Sequence, residues 1–125
     1  MKTLTLKDIL YIHESTIKKH GGTNGIKSLD LIRSSLNSGF ATFNGKYIYK
    51  SIEEKIAVIS YYFIKNPGFE DGNKRVGCLV LLTLCYKNDL TIKPTQQELI
   101  NLGLGVAEGK LNKKDILSFI FNTIK

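Results

Sequence analysis

The sequence predicts an all-α domain of about six helices around one buried central helix, with a small β-hairpin added. Three observations carry this. Apolar residues recur at helical spacing through most of the chain. The run Val76 to Tyr86 (VGCLVLLTLCY) is almost wholly apolar. An Asn-Gly pair at 44–45 sits between aromatic and β-branched residues. A helix apolar on all sides belongs inside a domain, and Asn-Gly is the strongest short hairpin signal.

The elements follow in order. Thr5-Leu6-Lys7-Asp8 reads as a capping box with Asp in place of Glu. It opens a helix over 5–19 that carries Leu6, Ile9, Leu10, His13 and Ile17 on one face, and Gly21-Gly22 ends it. A second, short helix fits Ser28 to Leu36, with Leu29, Ile32 and Leu36 facing in and Gly39 as its stop. Residues 40–50 (FATFNGKYIYK) form the hairpin, which is marginal alone and must lie on the helices. Ser51-Ile52-Glu53-Glu54 is a full capping box and starts a third helix running to about Lys65. Pro67, Gly68 and Gly72 mark residues 66–72 as a loop before the apolar central helix. Thr95-Gln96-Gln97-Glu98 opens a fifth helix. Asn112 caps a sixth, with Ile116, Leu117, Ile120 and Ile124 as its stripe.

The chain has 125 residues, and 42% of them are hydrophobic. That length suits a single domain over residues 1–125 with an ordinary core and no need of disulfides or metal. The composition excludes a disordered chain. No apolar run reaches the ~18 residues of a spanning helix, and MKTLTLKDIL lacks a signal-peptide core; the expectation is a cytoplasmic protein with no membrane association. Cys78 and Cys85 lie seven apart on one buried helix, too far along its axis for a disulfide. The net charge is +7, which points to an anionic partner. Basic residues run only in pairs, as at Lys18-Lys19, Lys74-Arg75 and Lys113-Lys114. No aromatic–basic alternation marks a single-strand groove, so nucleic acid ranks below a nucleotide.

Chemistry concentrates in Phe69-Glu70-Asp71-Gly72-Asn73-Lys74-Arg75. Two carboxylates and a glycine lead into the most apolar helix, whose first turn holds Asn73, Lys74 and Arg75. A helix N-terminus offers unpaired N–H groups and a partial positive charge. Gly72 would let a ligand approach the backbone closely, and an arginine grips phosphate bidentately. The combination is an anion hole suited to a polyphosphate, with Asp71 as an oxygen ligand for Mg²⁺. Lys and Arg in a first turn oppose the helix dipole, and a broken local rule points to function. The plainer alternative is a polar loop capping a core helix, with both cations merely solvated.

FEDGNKR resembles the signature loop of Fic-domain proteins, H-x-F-x-D/E-G-N-K/G-R. Lys74, where many Fic adenylyltransferases carry Gly, is similar to the death-on-curing (Doc) branch. Leu10-Tyr11-Ile12-His13, Gly21-Gly22, Gly25-Ile26, Asn88 and the Val106-Ala107-Glu108-Gly109 turn extend the resemblance along the chain. The resemblance implies a Fic/Doc-like fold and a toxin of a toxin–antitoxin pair. Such a toxin uses ATP and Mg²⁺ to phosphorylate a hydroxyl of elongation factor Tu, and a cognate antitoxin is its partner; other Fic proteins transfer AMP.

Carried over by position, Asp71 would hold Mg²⁺. Gly72 and Asn73 would bind phosphate through backbone and side chain, and Lys74 and Arg75 would neutralise the charge developing on the phosphoryl group. Phe69 would plug into the core and pin the loop. Phe43, Asn44, Gly45, Lys46 and Tyr47 would form the flap that receives the target segment by strand addition. Cys78 stands where many adenylyltransferases have a second arginine, which favours phosphate over AMP transfer.

One departure concerns the general base. Pro67 occupies the position of the family's histidine, or Asn66 does if Gly68 is an insertion. Neither accepts a proton at neutral pH, and losing a general base costs about 10²–10⁴-fold in rate. Glu70 is a candidate replacement. His13, on an apolar helix face, reads as a core histidine, and His20 as a helix C-terminal cap. The alternative to a weakened transferase is a catalytically inactive nucleotide- or protein-binding module.

Overall fold

In the computed structural model, which describes residues 1–124, the chain forms α1 (Leu6–His20), α2 (Leu29–Asn37), a 3₁₀ turn (Ser38–Phe40), β1 (Thr42–Phe43), β2 (Lys46–Tyr47), α3 (Ile52–Lys65), α4 (Asn73–Lys87), α5 (Gln96–Ala107) and α6 (Lys113–Thr123). The helix starts lie where the capping residues place them. Thr5, Ser51, Thr95 and Asn112 each accept from the N3 amide while the N3 acid returns the bond. Such caps satisfy amides that helix geometry leaves without partners. The hairpin pairs Thr42 with Tyr47 and Phe43 with Lys46. Asn44 and Gly45 have φ of 52° and 75°, the two positive values that a type I′ turn requires.

α3 is the hub, packing on α2, the 3₁₀ turn, α4, α5 and α6. It carries an unbroken buried run from Lys55 to Ser60, followed by Phe63 and Ile64. α4, expected to be buried all round, is buried along Val76, Gly77, Val80, Leu81, Leu84 and Cys85 only. α1, α3 and α5 cover it, while Leu79 is 39% and Tyr86 84% exposed. An uninterrupted apolar run hides which edge stays uncovered. Three smaller differences follow from end effects. Leu29, expected inward, is exposed at the first turn of α2, while Ile32 is buried and Leu36 packs against the core as expected, with Ser35 buried beside them. Gly39 does not stop the chain's helical path but lies buried within the 3₁₀ turn that extends it. Ile124 lies beyond α6 and is exposed, bridging to Ile92 rather than continuing the stripe.

Lys55 is a buried lysine with its partners in place. Its ammonium donates to the carbonyls of Tyr49 and Lys50 and lies 4.5 Å from the centre of the Tyr47 ring. A buried cation needs such compensation, and here it fastens the hairpin's second strand to α3. No described helix is long and apolar enough to cross a membrane.

Candidate functional site

The loop from Asn66 to Gly72 is held from three sides. Pro67 disfavours helical backbone in the residue before it, and Asn66, with φ −110° and ψ 80°, ends α3 there. Residues 25–28 then lie antiparallel to the loop. The Gly68 carbonyl accepts from Lys27 at 2.8 Å and Ser28 at 3.0 Å, and the Glu70 amide donates to Gly25 at 3.0 Å. This pairing is the Ile26–Phe69 bridge. Gly68 admits it because a Cβ there would stand 2.5 Å from Ile32 Cγ1.

From the second side, α1 supplies His13. Its ring stacks on Phe69, centroids 3.8 Å apart and planes 9° from parallel. Its Nε2 lies 2.9 Å from the Asp71 carbonyl. A carbonyl only accepts, so Nε2 carries the proton. The third clamp is internal: Asn73 Oδ1 accepts from the Phe69 amide at 3.1 Å, and Nδ2 donates to the Phe69 carbonyl at 3.0 Å.

These bonds locate each expected residue. Phe69 is 2% exposed and is the plug that pins the loop. Asn73 uses its side-chain amide to close the loop, which leaves its backbone N–H for a ligand. Asp71 is exposed, and its Oδ2 accepts from the Thr23 amide at 2.9 Å. Its other oxygen forms no hydrogen bond among the described residues. Gly72 is the N-cap of α4 at φ 83°, a backbone that L side chains avoid. Glu70 is exposed and lies over Gly25. Pro67 is half-buried and offers no proton-accepting atom. The hairpin residues Phe43 to Tyr47 are all exposed.

Among the described residues α4 is the one α-helix with no side-chain N-cap. Its first turn presents amides beside Lys74 and Arg75, both exposed and neither in a salt bridge among the described residues. The arrangement can bind an anion by backbone N–H donation plus two fixed charges. No group of three or more His, Cys, Asp or Glu among the described residues could form a cation cage. A divalent ion would therefore have Asp71 and complete its shell with phosphate and water oxygens, as Mg²⁺ does.

Cys78 faces α5. Its thiol lies 3.5 Å from the Leu99 carbonyl, and burial pushes its pKa up to about 11. Sequence reasoning missed the bracing by Thr23 and residues 25–28, because pairing between distant segments leaves no local pattern. It also missed an open surface cavity of about 280 Å³ between the hairpin root and the start of this loop, lined by Ser34, Ser38, Ala41, Tyr49, Tyr62 and Asn66. By sequence alone, Tyr49 and Tyr62 are most simply packing or flap residues.

The family model that matches the chain is that of the Fic/DOC family, over residues 3–85. The match runs from before α1 into α4 and includes the hairpin and the whole braced loop. No curated protein matches the chain.

Proposed function

This chain belongs to the Fic/DOC family, and from that premise we propose that it is a Doc-like toxin of a toxin–antitoxin pair. Membership suggests nucleotide transfer to proteins in general. The finer reading is ATP- and Mg²⁺-dependent transfer of phosphate, rather than AMP, to a hydroxyl of a translation protein such as elongation factor Tu. A cognate antitoxin controls it.

The observation that carries this reading is the uncapped N-terminus of α4, which follows a loop held from three sides and has Lys74 and Arg75 in its first turn. Phosphoryl transfer depends mainly on positioning and charge stabilisation. The backbone amides of Asn73 and its neighbours hold phosphate oxygens, and Arg75 and Lys74 offset the charge that builds during transfer. Bound Mg²⁺ would neutralise phosphate charge, with Asp71 keeping an oxygen for it. Loop rigidity matters because a displacement of about 1 Å at such a centre costs ~10²-fold in rate.

Pro67 favours a second reading, a nucleotide-binding module without turnover. By the family resemblance it, or Asn66 if Gly68 is an insertion, takes the position from which a histidine would accept the hydroxyl proton. Incubation with a bacterial extract and ATP labelled at the α- or γ-phosphate separates the readings. Label from the γ-position on a protein target, lost in Arg75→Ala, supports phosphate transfer. Label from the α-position replaces it with AMP transfer. Nucleotide binding without label on any protein leaves the binding module. Pro67→His then tests whether the absent base alone disables the chain.

A further inference from the structure

We propose that the cavity at the hairpin root seats a carboxylate side chain of the protein segment that receives the transferred group; this rests on the transferase reading above. The cavity's walls come from four places. Ala41 and Tyr49 flank the hairpin, Ser34 and Ser38 come from α2 and the 3₁₀ turn, and Tyr62 and Asn66 close it at the end of α3. Asn66 directly precedes Pro67, so the cavity lies where the hairpin root meets the braced loop. The Ile48 amide donates to the Ala41 carbonyl at 3.0 Å, which fixes that root.

The donor chemistry is set by Lys113, the first residue of α6. Its Nζ donates to the Tyr49 hydroxyl at 3.1 Å and to the Tyr62 hydroxyl at 3.5 Å. It also lies 5.6 Å and 5.4 Å from the two ring centres. The hydrogen bond to Tyr49 holds the Lys113 ammonium above its ordinary pKa. A phenol oxygen that accepts from an ammonium keeps its own O–H to give, and the cation polarises that bond. Lys113 therefore turns the tyrosine pair into donors. Asn66 adds an amide. Ser38 already donates to the Ser35 carbonyl at 2.7 Å, so its oxygen remains an acceptor.

Among the described residues no charged one lines the cavity, and Lys113 bears on it through the two tyrosine hydroxyls. One lysine charge matches one carboxylate, whereas a phosphate site gathers several cations or an arginine fork. A segment that adds to an exposed hairpin strand sends alternate side chains to the same side. A seat at the hairpin root therefore reads one residue of that segment, and its tyrosine and amide donors select an Asp or Glu. Free carboxylates share the chemistry but lack the strand contacts.

The test is an amide-shift titration of the ¹⁵N-labelled full chain with acetyl-Thr-Val-Glu-Val-amide, its Gln counterpart and sodium acetate. The proposal expects saturable shifts at Ser38, Tyr49 and Asn66 with the Glu peptide. The Gln peptide should bind about tenfold more weakly, the loss of one charge-assisted hydrogen bond. Lys113→Met and, as a milder variant, Tyr62→Phe should erase the Glu preference while ATP-induced shifts at Lys74 persist. Equal binding of Glu and Gln peptides overturns the proposal, as do shifts that avoid the cavity. Acetate binding as tightly as the peptide overturns the assignment to a target segment. These readouts need no transfer, so a chain that prefers Glu yet labels nothing contradicts the transferase reading alone. A chain that transfers without the preference contradicts this inference alone.

Discussion

The imidazole of His13 lies flat on the ring of Phe69, 3.8 Å between centroids, while its Nε2 donates to the Asp71 carbonyl two residues further on. One α1 side chain thus fixes both the buried and the exposed parts of the loop. His13→Ala removes a buried ring and orphans a carbonyl. It should cost about 2–4 kcal/mol in urea unfolding, with most of the lost signal at loop amides. A stability unchanged within ~0.5 kcal/mol would show that the stack does not brace the loop.

Asn73 separates a bracing role from a ligand-binding one. Its side chain closes the loop on Phe69, so Asn73→Ala should lower stability by about 1–3 kcal/mol even without nucleotide. If its side chain acted only on phosphate, thermal unfolding of the nucleotide-free chain would be unaffected. The discriminating measurement is Tm with and without ATP.

These two residues show how unevenly the sequence speaks. The capping boxes at Thr5, Ser51 and Thr95 are local hydrogen-bond patterns, and the helices start at them. Asn44-Gly45 likewise determines its turn through backbone angles alone. His13 was legible as a core histidine because its helix face is apolar. Its stack on Phe69 was not, because that contact joins residues far apart in the chain. Leu29 was misplaced because spacing cannot tell a helix's first turn from its covered middle. The motif marked the residues around α4's N-terminus, but only the fold shows that the Asn73 side chain is already engaged.

Cys78 should not accept the second arginine of the adenylyltransferase pattern. Its thiol packs against α5 near the Leu99 carbonyl and Gly103. Cys78→Arg should therefore destabilise by about 1–3 kcal/mol through overpacking, rather than create AMP transfer. Retained stability together with label from the α-phosphate would contradict this.

Both thiols should be inert in the folded chain. Burial raises Cys78 from 9.0 to about 11 and Cys85 from 9.0 to about 12. The folded state thus binds the thiol protons more tightly than the unfolded state does. This stability is fully present below pH 9.0 and is lost as pH rises from there through the folded values. Iodoacetamide labelling at pH 8 should be slow for the native chain and fast in urea. Rapid native labelling would mean that α4 and α5 open readily.

Acid should loosen the first turn of α1. Hydrogen bonds from Thr5 hold the Asp8 carboxyl below its ordinary 3.8. Because the folded pKa is the lower one, this contribution is present above pH 3.8 and is lost as pH falls through the folded value. Thr5→Ala should cost about 1 kcal/mol at neutral pH yet keep most of that acid dependence, because the Thr5 backbone N–H still donates to the Asp8 carboxylate, whereas Asp8→Asn should remove it. Hydrogen exchange at residues 6–9 as a function of pH is the check.

The central claim is that the uncapped start of α4 holds a nucleotide triphosphate with Lys74 and Arg75. Calorimetric titration of ATP–Mg²⁺ into the native chain and into Lys74→Ala and Arg75→Ala tests it most directly. Saturable binding by the native chain, weakened about tenfold or more in each variant at unchanged Tm, is the predicted result. Equal affinity in all three proteins, or no binding by the native chain, would contradict the account.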